Sequence, residues 1–194
     1  VREICIRTGA NRIHIRNSDE EMLKGYLSEL EIREISVRVP EELKELAQPF
    51  VIWQQGIVDR QRRLGRYILP GMVSFTGLSS AMDRSKSAIG RGEVSGYQSV
   101  SKIAVAMRLH HLINCLLSQG VSASREYLDR LENGDDSSKK SVRDFLRDPR
   151  VRDLSDKLGG MVEIHSKIGA VRRMIRERLR RDPNSRVIVF ANYR

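Results

Sequence analysis

The sequence predicts a mainly α fold: an antiparallel helical bundle set between two short α/β pieces. Three observations carry this. From Glu41 to Gly160 the apolar residues recur at helical spacing. Before that stretch, Arg12–Arg16 alternates around Ile13 and Ile15, and Glu31–Pro40 runs through Ile32, Ile35, Val37 and Val39, as strands with one buried face do. After Asn184, the unbroken run Val187, Ile188, Val189, Phe190 suits a strand covered on both faces of a parallel sheet. One strand cannot bury itself, so a segment of a longer chain is expected.

Charge narrows the partners. Lys and Arg number 35 against 25 Asp and Glu in 194 residues, a net charge of +10 that favours an anionic partner. No run of about 18 apolar residues exists to span a bilayer, and no signal-like start is present. Cys5 and Cys115 stand alone and read as buried thiols of a reducing cytoplasm, with no disulfide expected. Adjacent His110 and His111 point about 100° apart on a helix, so one buried, hydrogen-bonded imidazole and one surface imidazole are expected rather than a metal pair.

Taken in order, Val1–Thr8 reads as the end of a helix stopped at Gly9, Ala10 and Asn11. Pro40 ends the second strand, and Glu41 and Glu42 open a long helix whose face is Leu43, Ala47, Phe50, Ile57, Val58 and Leu64, with Trp53 beside it. Arg60, Arg62, Arg63 and Arg66 crowd its far end, where cations also suit the helix dipole, and Pro70 and Gly71 close it. Ser74–Gly96 is rich in Ser and Gly and reads as a weak helix and a flexible connection carrying Arg84 and Lys86.

Ser99–Gln119 is apolar on nearly every face, the mark of a core helix, with Gly120 as its left-handed stop and Ser122 or Ser124 as the next cap. A helix through Tyr127, Leu128 and Leu131 follows, then a turn at Asn133–Asp136. Ser138–Arg147 turns Val142, Phe145 and Leu146 inward and Lys139, Lys140, Arg143 and Arg147 outward. Val151, Leu154 and Leu158 mark one or two further turns before Gly159 and Gly160 let the chain swing. The closing helix reads as amphipathic, with Ile168, Val171, Met174, Ile175 and Leu179 recurring at helical spacing. It exposes Lys167, Arg172, Arg173, Arg176, Arg178, Arg180 and Arg181 against one acid, Glu177, until Asp182, Pro183 and Asn184 break it. Such a run is either a solvated face or a phosphate-contacting one.

No G-x-x-x-x-G-K-[ST] occurs, so nothing in the chain cradles a nucleotide's phosphates in the P-loop manner. Gly90, Gly92 and Gly96 miss G-x-G-x-x-G by one residue, lack a preceding strand and read as linker. No Ser/His/Asp, Cys/His or paired-carboxylate arrangement stands out, so no catalytic, cofactor-binding or metal-ligating residue is assigned.

Ile164, His165, Ser166 and Lys167, followed by the basic helix and by NSRVIVFANYR at Asn184–Arg194, resemble the entry to the second RecA-like domain of superfamily-2 helicases, with the V-I-V-F run as motif IV. MRLHHLINCLLSQGVSASREYL, Met107–Leu128, resembles the helical insertion between the two motor domains of archaeal Hef and eukaryotic FANCM. Ser166 departs from the proline usual between that His and Lys.

The resemblance implies residues 1–40 as the carboxyl-terminal edge of a first RecA-like domain, 41–160 as the helical insertion and 161–194 as the start of the second. It further implies a parent that is an ATP-dependent helicase or translocase of forked or branched DNA in fork repair, cytoplasmic and nucleoid-associated. ATP and magnesium would be bound by motor domains outside this segment, which is itself expected to be inactive. The expected partners are branched DNA and the remaining motor domains, with no membrane. Arg60, Arg62, Arg63, Arg84, Lys86, Lys139, Lys140 and Arg143 are the expected non-specific phosphate contacts, and Asn192, Tyr193 and Arg194 match the motif IV turn. The competing reading is a free-standing basic helical module that binds nucleic acid or protein without a motor.

Overall fold

The apolar helix expected near the middle of the chain is the axis of the structure. In the computed structural model, which describes residues 34–190 together with Arg7, Gly9 and Ile32, it is α3 (Val94–Asn114), extended by one π-helical turn at Cys115–Gln119. Around it lie α1 (Glu41–Arg63), α2 (Phe75–Gly90), α4 (Val121–Asn133), α5 (Lys140–Leu146) and α6 (Pro149–Gly160), and α7 (Ser166–Arg181) closes the described chain. Contacts divide the chain into two units, Val1–Ser36 and Val37–Arg194, and all seven of these helices belong to the second.

Helical period dictates the packing. Leu43, Ala47 and Phe50 of α1 meet Leu109, Leu112 and Leu116 on α3 and its π turn, and Leu128, Phe145, Val151, Leu154 and Leu158 complete one core from α4, α5 and α6. Each fully buried Leu or Phe contributes about 2 kcal/mol. A smaller cluster of Val58, Leu78 and Ala106 joins α1, α2 and α3, with Ile68 and Val73 of the intervening loop packed on it.

Three expectations require correction. Ser74–Gly96 is no flexible connection: α2 is a full helix, capped where the Gly77 amide donates to Ser74 Oγ at 3.1 Å, and it packs closely on α3. Its small residues Ala81, Ser85 and Ala88 are buried, and a Cβ on Gly96 would stand 2.9 Å from the Ser85 carbonyl oxygen. Low intrinsic propensity is overridden because small side chains let two backbones approach. Gly90 therefore ends α2, and Gly96 lies inside α3.

The α/β flanks are the second correction. Neither Glu34–Pro40 nor Val187–Phe190 is a strand, and among the described residues there is none. A strand exists only through a partner's amides and carbonyls, and Ile188 and Phe190 stand 76% and 88% exposed. The helix expected over Val1–Thr8 and the strand over Arg12–Arg16 fall on residues that are almost all outside the described ones.

The third concerns Gly120. Its φ is positive, as expected, but φ 100° and ψ −161° lie outside the left-handed helical region, and neither Ser122 nor Ser124 caps α4. The Glu163 carboxylate does so from the loop between α6 and α7, accepting from the amides of Val121 at 3.3 Å and Ser122 at 2.9 Å.

Candidate nucleic-acid interface

Apolar faces turned inward leave the cations outside, on three separate elements. Arg60, Arg62 and Arg63 sit in the last turn of α1, Arg84 and Lys86 on α2, and Lys139, Lys140 and Arg143 at and within α5. Arg60, Arg63, Lys86, Lys140 and Arg143 are exposed. Lys139 is exposed too, paired with Asp136 at 2.6 Å, a contact of small worth in water.

Arg62 and Arg84 have structural work. Arg62 donates to the carbonyls of Leu69 (3.1 Å) and Gly71 (2.6 Å), and Arg84 donates twice to the carbonyl of Tyr67 (3.0 and 2.7 Å). Together they brace the loop between α1 and α2, in which Tyr67 holds φ 56°. That conformation costs a bulky L-residue about 1–2 kcal/mol, and the four guanidinium bonds offset it.

Two grooves gather cations that linear spacing did not bring together. Arg143 shares one with Arg147 and Arg152, beside Ser137, Ser138 and Ser155, although Glu132 and Asp156 also line it. Arg60 shares another, shallow one with Lys102 of α3, alongside Ile52 and Trp53. Arg147 was legible four residues after Arg143 on one helix face. Arg152 and Lys102 reach their grooves only through helix packing.

The basic helix α7 differs from its expected form, since none of its residues is buried and Ile168, Met174 and Leu179 are 38–44% exposed. Arg181 pairs with Glu177, and Arg178 donates to Ser185 Oγ at 2.9 Å.

What ties α7 to the bundle is a knot at the π turn. One extra residue per turn displaces carbonyls from the regular ladder. The buried His165 ring places Nε2 3.1 Å from the Leu117 carbonyl, while its Nδ1 accepts from the Lys167 amide at 3.1 Å. An accepting Nδ1 puts the ring proton on Nε2, so Nε2–H donates to Leu117. Lys167 Nζ donates to the Ser118 carbonyl at 3.0 Å. Burial pulls the Glu163 carboxyl upward, but the amides of Ser122, His165 and Val121 and the Ser122 hydroxyl outweigh it and hold Glu163 below its ordinary value. Arg125 likewise clamps the end of α6, bonding the carbonyls of Leu158 and Met161. Sequence reasoning missed Glu163 and Arg125 altogether.

The His165 cap allows a direct test of the residue that follows it. Ser166 is the first residue of α7, where the amide has no intrahelical acceptor, and His165 has φ −66° and ψ 122°, the conformation that precedes proline readily. Ser166→Pro is expected to stabilise the chain by about 0.5–1 kcal/mol, read as a raised denaturation midpoint. A lowered midpoint would show that the Ser166 side chain has a role of its own.

The two histidines also depart from expectation. His110 and His111 are both half-buried, His110 near the Phe75 ring and His111 4.4 Å from that of Tyr127. Burial lowers both imidazoles, with Arg130 and His110 adding to the effect on His111. Cys115 is buried and its thiol is pushed up to about 11 by desolvation, which makes it inert; Cys5 lies outside the described residues. Among the described residues no cluster of His, Cys, Asp and Glu suits a metal, and no helix is long and apolar enough to cross a membrane. The glycine run that reads as linker is instead a helix end at Gly90 and a helix crossing at Gly96. Asn192, Tyr193 and Arg194 lie outside the described residues.

Comparison with known proteins agrees with this architecture. Residues 78–165, from α2 through the His165 knot, match the family described as "Putative ATP-dependent RNA helicase, helical bundle". The whole chain is 24% identical to a protein of Methanocaldococcus jannaschii that bears the name of a putative ATP-dependent RNA helicase, and it spans 24% of that protein's length. The crystal structure of the Pyrococcus furiosus Hef helicase domain superposes over the full chain with a TM-score of 0.66 at 25% identity, and 41% of that domain is covered. Over residues 78–165 the chain is thus similar in sequence to a helicase helical bundle, and its fold is similar to that of the Hef helicase domain.

Proposed function

We propose that residues 41–160 are the DNA-binding insertion of an ATP-dependent helicase or translocase that acts on forked or branched DNA in replication-fork repair. On this reading residues 1–40 and 161–194 are the adjoining edges of its two motor domains, and the parent works in the cytoplasm on nucleoid DNA. The observation that carries the reading is the grouping of exposed cations around grooves of a helical bundle whose fold is similar to part of the Hef helicase domain. Phosphate contacts of this kind position a duplex without reading its sequence.

Arg60, Arg63, Lys86, Lys139, Lys140 and Arg143 are the direct phosphate contacts, and Arg62 and Arg84 act with the loop they brace. Asn192, Tyr193 and Arg194 match the motif IV turn and would meet a phosphate from there. ATP and magnesium belong to the parent's motor domains, and this chain alone turns over no ATP.

Salt tests the reading. If each of the six direct contacts neutralises one phosphate, affinity should fall on the order of a thousandfold between roughly 50 and 200 mM salt, and replacing Arg60, Arg63, Lys140 and Arg143 with Gln should flatten the slope of log K against log salt by about 3.6. Binding of forked DNA, blunt duplex, single strands and a forked RNA, compared at both salt concentrations, separates the outcomes. A slope unmoved by the four substitutions removes these residues from the interface, and preference for the RNA fork replaces DNA with RNA as the partner.

A further inference from the structure

We infer that the loop between α1 and α2 is an apolar wedge that meets the last base pair at a duplex branch. Residues 64–74 divide by side. Ile68 and Val73 turn inward onto the Val58 and Leu78 cluster, while Leu69 and Met72 turn outward, 66% and 96% exposed. An exposed apolar tip is ordinarily a liability on a soluble surface and marks a contact site.

The tip is held rather than loose. Arg62 bonds the carbonyls of Leu69 and Gly71, so its guanidinium grips the backbone on both sides of Pro70 and leaves the side chains of Leu69 and Met72 outward. Arg84 fixes the Tyr67 carbonyl, the Tyr67 hydroxyl bonds Glu93 at 3.2 Å and lies 3.1 Å from Ser95 Oγ, and Arg66 donates to Gln98 at 3.0 Å. A non-glycine residue at positive φ, tied at both its carbonyl and its hydroxyl, is the over-determined geometry in which backbone strain accompanies function.

Charge identifies the occupant. The cleft beneath the tip is lined by Arg62 and Arg84 and by no carboxylate, and exposed Arg63 ends the helix that feeds the loop. Aliphatic side chains on a rigid element flanked by cations are what proteins insert between base steps, where the cations hold the phosphates on either side. The wedge thus adds contact with base faces to the phosphate contacts proposed above, and it rests on that proposal.

The test uses the full chain and forked DNA carrying 2-aminopurine at the first paired position. Wild type should raise the fluorescence of the probe as the base unstacks, and should favour the fork over blunt duplex by about tenfold, because the last pair at a branch is cheaper to unstack than a step inside a duplex. Leu69→Ser with Met72→Ser should abolish the rise and bring the fork to parity, with duplex affinity unchanged within about twofold and the melting temperature kept. Leu69→Met should preserve both signals, because an aliphatic tip is all that is required. Fork and duplex binding that survive the double serine variant with fluorescence intact would overturn the wedge and leave the DNA reading standing. Absence of binding to either DNA would overturn both. A change of molecular mass on mutating the tip would assign it to self-association, and loss of a protein contact alone would assign it to a protein partner; each overturns the wedge.

Discussion

Phe145→Ala is expected to cost about 4 kcal/mol, the usual range for truncating a fully buried aromatic ring. Phe145 is 2% exposed and lies nearly parallel to Trp53, ring centroids 5.8 Å apart with planes at 17°. Arg150 covers the same indole, its guanidinium carbon 3.9 Å from the ring centroid. The effect is large because α5, Lys140–Leu146, has seven residues, too few to be helical without tertiary support. Val142 and Phe145 are its anchors in the core. Trp53 is the one tryptophan of the chain, so its emission reports this junction directly. Guanidinium titration followed by that emission should show an earlier midpoint, and on the proposed function affinity for DNA should fall with it because Lys139, Lys140 and Arg143 sit at and within α5. An unchanged midpoint would mean that the Phe145 ring does not hold α5.

Gly120→Ala should destabilise by roughly 3 kcal/mol, a sum of backbone strain at positive φ and a lost helix cap. At φ 100° a Cβ is disfavoured whatever surrounds it, and here it would also overlap the Glu163 carboxylate and come within 2.8 Å of His165 Cβ. Glu163 cannot yield without releasing the amides of Val121 and Ser122, nor His165 without releasing Leu117. The substitution therefore tests whether the π turn, α4 and the entry to α7 form one cooperative knot. Hydrogen exchange should show the amides of 121–123 and 167–169 losing protection together; protection lost at only one of the two segments would refute the coupling. Acid provides a related check. The carboxyl of Glu163 is held below its ordinary value, so its contribution to stability is complete above the ordinary glutamate range and fades as pH falls through the depressed value.

Much of the bundle was legible because helical period is a local property. Leu43, Ala47, Phe50, Val58, Val142, Phe145, Val151, Leu154 and Leu158 were placed inward from spacing alone, and all are buried. Ser74–Gly96 misled for the opposite reason: Ser and Gly weaken an isolated helix, yet Ser85 and Gly96 let α2 and α3 approach closely. The flanking strands failed as expectations because a strand is defined by its neighbours, and no neighbour lies among the described residues. Of the cations, those on one helix face could be grouped from sequence, whereas Arg152 and Lys102 could not.

The amino-acid sequence by itself determined where the helices other than α2 run, which face of each is apolar and that the net charge is positive, because these follow from the side chains along one backbone. Tertiary structure alone decided that Glu163 caps a helix forty residues away, that Arg62 and Arg84 hold a loop, and that Leu69 and Met72 form an exposed tip. Those outcomes depend on distances between segments remote in the chain. Such distances are set when helices dock, since only then do a carboxylate or a guanidinium and the backbone groups it serves come within hydrogen-bond reach.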